Sequence, residues 1–303
     1  MPFEITHSPR LAYNANGLRS LSLSSAIRFL ARCGYTGIEL SLNRQHVDPW
    51  GFTDADADEL RGVLEDTGVV ACSLATGDPL LLSERPFEPA LVDPDPSARE
   101  RRLDLLRRAV RIGVRIGVPI VVFSTGKLAE GADREQALDV LDRSVAELLG
   151  VLERELRAAG AAPGSTVLGV EPEPGFLLET NAQVAELIER TGSESLWLSQ
   201  DLGHTVVVEE DALESLRRHL PVTRHLQVED IAGRVHAHLV PGEGDIDFES
   251  VGRVLHEEEF DGWISVELYD HDHVHERSVP DSRRFLLERL PSLGGLDRAG
   301  VRR

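Results

Sequence analysis

Cysteine is scarce in this chain: among 303 residues there are two, Cys33 and Cys72. Cys33 falls in a helical pattern and Cys72 in a strand, so both read as reduced, buried thiols of a cytoplasmic protein rather than a disulfide framework. So few cysteines also remove the argument for a structural zinc site. Long apolar runs are missing as well, since none approaches the roughly 18 residues of a membrane-spanning helix. The opening Met-Pro-Phe-Glu-Ile-Thr-His has neither the basic nor the apolar region of a signal peptide. Positive charge is short: 32 Lys and Arg against 52 Asp and Glu give a formal net charge of −20. A surface this acidic repels nucleic acid and anionic membrane, which excludes both as unaided partners. No Walker loop, Gly-x-Gly-x-x-Gly or Ser-His-Asp order is present to support nucleotide binding or a nucleophilic serine.

What the chain does have is an ordinary globular composition, 41% hydrophobic, arranged as short apolar runs separated by helical patterns. Residues 3–7, 35–40, 69–74 and 119–123 read as four strands. Four more end the runs at 167–170, 196–198, 222–224 and 263–266. Helical patterns lie between them, and one near 282–290 follows the last. Strands alternating with helices imply a parallel sheet, and eight such units need about 250 residues. The expected fold is therefore α/β, a single (β/α)8 TIM barrel over residues 1–290, with residues 291–303 a disordered tail. Residues 75–96 carry five prolines, which excludes helix interior and central strand and reads as a lid over the site. The arginine run of the next helix, Arg99 to Arg115, reads as a solvated outer face.

Each of the last four strands runs into a polar residue: Glu171, Asp201, His225 and Glu267. A carboxylate or imidazole at the end of a buried strand is costly unless it is paired or ligates a metal. In such barrels the site lies at the C-terminal strand ends, so these residues are expected to converge. Three carboxylates and one imidazole suit a single Mn²⁺, Mg²⁺, Co²⁺ or Zn²⁺. His204, three residues past Asp201, reads as a substrate hydrogen-bond donor beside the metal or an extra ligand. In Glu171-Pro-Glu-Pro-Gly175 two prolines stiffen the turn and aim both carboxylates, leaving Glu173 as a rim group. His236 and His238 share one face of an extended segment. The Pro-Gly-Glu-Gly turn after them lets backbone pass close to a ligand before Asp247 caps a helix. His7 and His46 stand at early strand ends within reach of substrate, whereas His271, His273 and His275 read as a rim loop.

At these residues the chain resembles the xylose isomerase-like TIM-barrel superfamily, which joins sugar (phosphate) isomerases and epimerases with type IV AP endonucleases. The resemblance spans residues 3–290 and is specific in the four strand-end motifs and the His236-Ala-His238…Pro-Gly-Glu-Gly loop. It implies that Glu171, Asp201, His225 and Glu267 match the metal ligands of ketose 3-epimerases, with His204 on the substrate. It also implies that Glu171 and Glu267 act as acid and base across the reacting carbon. His204, His236 and His238 fall near positions of the endonucleases' trinuclear zinc site, with His236 where an Asp is expected. The histidines that site needs after strands three and four are Ala75-Thr76 and Phe123-Ser124 here, a departure that implies one metal rather than three. The expected activity is a divalent-metal-dependent isomerase or epimerase of a sugar or cyclitol-like polyol, working through a metal-stabilised enediolate. His204, His236, His238 and Glu173 then hold substrate. The alternatives are a dehydratase or lyase on the same site, including keto-glycoside cleavage, a metal-dependent hydrolase, and a non-catalytic barrel. The expected partner is a small sugar or polyol; related barrels are often dimers or tetramers, so a homo-oligomer is open.

Overall fold

The computed structural model describes residues 10–76 and 79–290. Eight strands follow one another round a closed parallel barrel: β1 (Arg10–Asn14), β2 (Gly37–Ser41), β3 (Val70–Ala75), β4 (Ile120–Phe123), β5 (Val167–Val170), β6 (Leu196–Asp201), β7 (Thr223–Val228) and β8 (Trp263–Val266). The ring closes where β1 pairs with β8, Tyr13 opposite Val266. Strands buried on both faces need apolar side chains at nearly every position, which is why they appear in the sequence as continuous runs rather than alternations. Ile38, Leu40, Leu74, Val121, Leu168 and Ile264 belong to one core shared with the surrounding helices.

The helices are α1 (Leu23–Arg32), α2 (Asp54–Thr67), α3 (Pro96–Ile116), α4 (Arg134–Ala158), α5 (Asn181–Thr191), α6 (Leu202–Val208), α7 (Ala212–His219), α8 (Phe248–Glu257) and α9 (His275–Arg289). Their starts are chemically marked. Thr53 with Asp56 and Thr180 with Gln183 close capping boxes at α2 and α5, each cap contributing about 1 kcal/mol. None of the described helices is long and apolar enough to cross a membrane.

Several boundaries differ from the expected ones, and the differences move functional residues. The strand expected at residues 3–7 and the tail at 291–303 lie outside the described residues; β1 is Arg10–Asn14, which makes Asn14 a strand end. β7 runs through Val228, beyond the expected end at His225, because its pairing with β8 continues to Val228 opposite Val266. A short helix, α6, follows β6 directly, with Asp201 as its N-cap. The arginine run of α3 is not wholly solvated either. Arg102 is buried, and its guanidinium donates to the carbonyls of Pro89 (2.8 Å) and Phe87 (3.0 Å). Burial lowers its pKa to about 10. This arginine ties the proline-rich segment to the barrel.

Candidate active site and metal centre

The site forms where β5, β6, β7 and β8 end. Asp201 is the last residue of β6 and caps α6, its Oδ1 accepting the His204 backbone N–H at 2.7 Å. That one-turn reversal aims the His204 ring back over β5. There Nδ1 donates to the Pro172 carbonyl at 3.1 Å, which leaves the Nε2 lone pair free, the tautomer a ligand needs. Glu171 follows β5 and its Oε1 lies 3.7 Å from the same ring, while Glu173 Oε2 lies 3.8 Å from Nε2. Glu171, Asp201 and His204 thus each offer a donor atom within 4.8 Å of the others.

A second group shares His204. After β7 the chain folds back on Asp230, whose carboxylate accepts the backbone N–H groups of Ile231, Gly242 and Ile246 at 3.0, 2.7 and 3.1 Å. Gly244 permits this, since a Cβ there would stand 2.5 Å from Asp230 Oδ1. The fold-back carries His236 and His238 into the mouth. His238 Nδ1 donates to the Glu267 carbonyl at 3.1 Å, and its Nε2 lies 3.2 Å from that of His236. His204, His236 and His238 are the second set of donors within 4.8 Å. Glu267, just past β8, is held from the opposite side of the barrel seam: its Oε1 accepts Nδ2 of Asn14 and of Asn16, each at 2.8 Å.

His225 is not at the mouth. As the third residue of β7 it is fully buried inside the barrel, with Nε2 3.3 Å from Ser73 Oγ, Nδ1 3.2 Å from Ser199 Oγ, and Glu39 Oε2 at 3.5 Å. It belongs to neither close donor group. The reason is the longer strand: side chains alternate, so residues 225, 227 and 229 face the same way at rising heights, and His225 is the deepest. Gln227, the next inward residue, lines the cavity with Glu171, His204 and Glu267. The cavity holds about 430 Å³, and Pro79, Pro86 and Phe87 of the proline-rich segment form one wall. His46 instead lies outside it, its Nε2 3.0 Å from the Leu21 carbonyl, and His7 lies outside the described residues.

Burial dominates the electrostatics. It pushes the carboxyls of Glu171, Glu229 and Glu267 well above the usual range, helped by their mutual repulsion, and raises Glu39 to about 8. Burial lowers His225 to about 3 and His238 to about 4, so both are neutral near pH 7. Asp201 is the exception: burial works against its charge, but the neighbouring His204 and His238 hold its pKa below the ordinary value. His204 in turn is raised, because Asp201 and Glu173 outweigh burial. Glu229 is fully buried, its carboxyl raised by burial and by the neighbouring Asp201 charge, and neither of its oxygens has a hydrogen-bond partner among the described residues. Only glycine at 203 leaves it room, since a Cβ there would sit 1.7 Å from Glu229 Oε1.

This donor set fits a divalent cation: carboxylates crowded beyond what the nearby N–H groups satisfy, and the His204 and His238 imidazoles, whose Nδ1 atoms are spent on backbone carbonyls. Asn14, Asn16, Gln227 and Glu229 were not among the residues singled out from sequence. The inward alternation 225–227–229 was the available signal for the last two.

Residues 27–289 match the sequence profile of the family described as xylose isomerase-like TIM barrel. Among individual proteins, a human protein assigned as a hydroxypyruvate isomerase is 27% identical over 170 residues, covering 54% of this chain and 58% of the human protein. The inosose dehydratase of Clostridium perfringens is 31% identical over 110 residues, 31% of this chain and 37% of that enzyme. The matches thus span 58% of the human protein's length and 37% of the clostridial enzyme's. A solved D-tagatose 3-epimerase-like protein superposes with a TM-score of 0.76 at 19% identity, covering 94% of this chain and 98% of the other; that likeness is one of fold.

Proposed function

The chain belongs to the xylose isomerase-like TIM barrel family, and on that premise we propose that it is a divalent-metal-dependent isomerase or epimerase of a small carbonyl-bearing sugar or cyclitol-like polyol. One observation carries the reading: Glu171 and Glu267, both pushed toward the protonated form by burial, enter one cavity from β5 and β8, three strands apart in the ring. Carboxyls with raised pKa values suit proton carriage near neutral pH. One of the pair takes the proton from the carbon beside the carbonyl, and the other returns one to the opposite face or to the neighbouring carbon. Asn14 and Asn16 fix the Glu267 carboxyl for that step. Glu171, Asp201 and His204 hold the cation, which when bound supplies positive charge for the developing enediolate oxygens. His236, His238 and Glu173 face the substrate hydroxyls, and the wall at Phe87 limits water. Acid–base transfer of this kind contributes on the order of 10²–10⁴-fold.

The test is solvent exchange. Mn²⁺-loaded protein is incubated with ketoses, inososes and hydroxypyruvate in D₂O, and deuterium is sought at the carbon beside the carbonyl. Wild type incorporates it with one of these substrates and Glu267→Gln does not; equal exchange in that variant refutes the role of Glu267. The likeness to inosose dehydratase supports a second reading, in which the same carbanion expels water. A product lighter by one water, rather than one of unchanged mass, selects it.

A further inference from the structure

The proline-rich wall of the cavity is held by a buried charge that the reaction above does not use. Leu81, Ala90, Leu91 and Val92 root this segment in the core, and the Leu91 N–H donates to the Thr125 carbonyl at 3.1 Å. Between those roots the chain has neither helix nor strand, and the Phe87 N–H donates back to the Pro79 carbonyl at 2.7 Å. Phe87 has φ of 63°, a left-handed backbone that a bulky side chain adopts only under constraint. It lines the cavity, and its ring meets Phe176 edge-on with centroids 5.2 Å apart. Phe176 lies in the turn after β5, its N–H donating to the Glu173 carbonyl at 3.0 Å. The phenyl ring therefore rests against the segment that carries Glu171 and Glu173.

Arg102, in the second turn of α3, supplies the constraint. Its Nε and Nη2 donate to the carbonyls of Pro89 and Phe87, one on either side of Glu88. Among the described residues no carboxylate pairs with this guanidinium, and burial alone lowers its pKa. A buried cation without a counter-ion is costly, and an apolar side chain of similar volume would fill the space without that cost. What arginine alone adds is a planar fork that fixes two carbonyls at once. We propose that Arg102 is a positioning residue for the reaction proposed above: acting through the Phe87 carbonyl, it holds the phenyl ring against the cavity so that the carbanion forms out of reach of water. The proposal rests on the isomerase or epimerase reading. A shielded carbanion takes its proton from the opposite glutamate, whereas an exposed one takes it from solvent on whichever face water reaches, and so returns to substrate.

Two measurements on the full chain test this, with thermal melts as the check on folding. Arg102→Met keeps the stem and removes the donors; if it does not melt cooperatively, Arg102→Lys, which keeps the charge without the fork, takes its place. In hydrogen exchange, residues 82–88 of the variant lose protection while β5 and β8 keep wild-type rates. The second measurement uses Mn²⁺-loaded protein in D₂O, with whichever ketose, inosose or hydroxypyruvate the wild type turns over. The variant loses about tenfold or more in kcat/KM, within the roughly 100-fold that a misplacement of about 1 Å costs. Deuterium in recovered substrate rises relative to product formed, which a merely structural role would not cause. Phe87→Ala shows the same change, and the double variant is no worse than Phe87→Ala, because the two side chains act as one unit. Unchanged protection or an unchanged deuterium ratio in the folded variant overturns the proposal, as do losses that multiply in the double variant. Absence of turnover by the wild type on every one of these substrates overturns the isomerase reading and this proposal together.

Discussion

Adding and removing the proposed cation at two pH values tests the electrostatics of the site without knowing the substrate. In the metal-free protein Glu171, Glu229 and Glu267 have pKa values well above the carboxylate range, and Glu39 titrates at about 8. A carboxyl raised on folding contributes stability that is present below its unfolded pKa and lost as pH rises through its folded pKa. The metal-free protein therefore weakens from about pH 4.5 upward. A divalent cation competes with those protons, so its affinity rises with pH. If one proton leaves per cation bound, affinity falls about tenfold per pH unit, or about 300-fold between about pH 8 and about pH 5.5. With free cation at about 100 times Kd at the higher pH, binding adds about 2.7 kcal/mol. At about 2 °C per kcal/mol for a domain this large, Tm rises by about 5 °C. At the lower pH the same concentration is below Kd, and the gain falls to about 0.2 kcal/mol, which a melt barely registers. The assay is scanning calorimetry with Mn²⁺ or chelator at both pH values. An equal shift at both, or a larger one in acid, refutes the claim that the cation displaces protons from buried carboxyls.

Three further outcomes follow from the geometry. Asn16→Ala removes one of the two amides on Glu267 Oε1, a contact that lowers the Glu267 pKa; kcat should fall about tenfold, and the limb of the pH–rate profile that reports Glu267 should move to higher pH, whereas a fixed limb excludes the contact from catalysis. His225→Ala leaves the buried Ser73 and Ser199 hydroxyls without their imidazole, costing about 1–3 kcal/mol in a melt while Mn²⁺ affinity stays at the wild-type value. A large loss of Mn²⁺ affinity would return His225 to the ligand set. Gly203→Ala drives a methyl into Glu229, costing about 1–3 kcal/mol. A melt unchanged from wild type would show that Glu229 is not packed against Gly203 as described.

The eight-unit barrel was legible because its strands are buried on both faces and so announce themselves as apolar runs between turn formers, while Thr53, Asp133 and Thr180 mark helix starts chemically. The placement of Glu171, Asp201 and Glu267 at strand ends was legible for the same reason: each is a charge at the point where such a run stops. His225 misled because an imidazole in the middle of a strand looks, in one dimension, like one at its end. Where β7 stops depends on how far β8 runs beside it, a contact between segments about forty residues apart, and no local pattern encodes that. Asn14 and Asn16 meet Glu267 from the other end of the chain, across the closure of β1 on β8. Arg102 looked solvated among other arginines until the proline-rich segment was laid over it. Sequence alone therefore determined the apolar strand runs and the helix starts, because burial of apolar side chains and helix capping are local chemistry. Tertiary structure decided which of those charges meet, which nitrogen of each imidazole is free, and that Gln227 rather than His225 stands at the mouth, because those depend on strand register and ring closure.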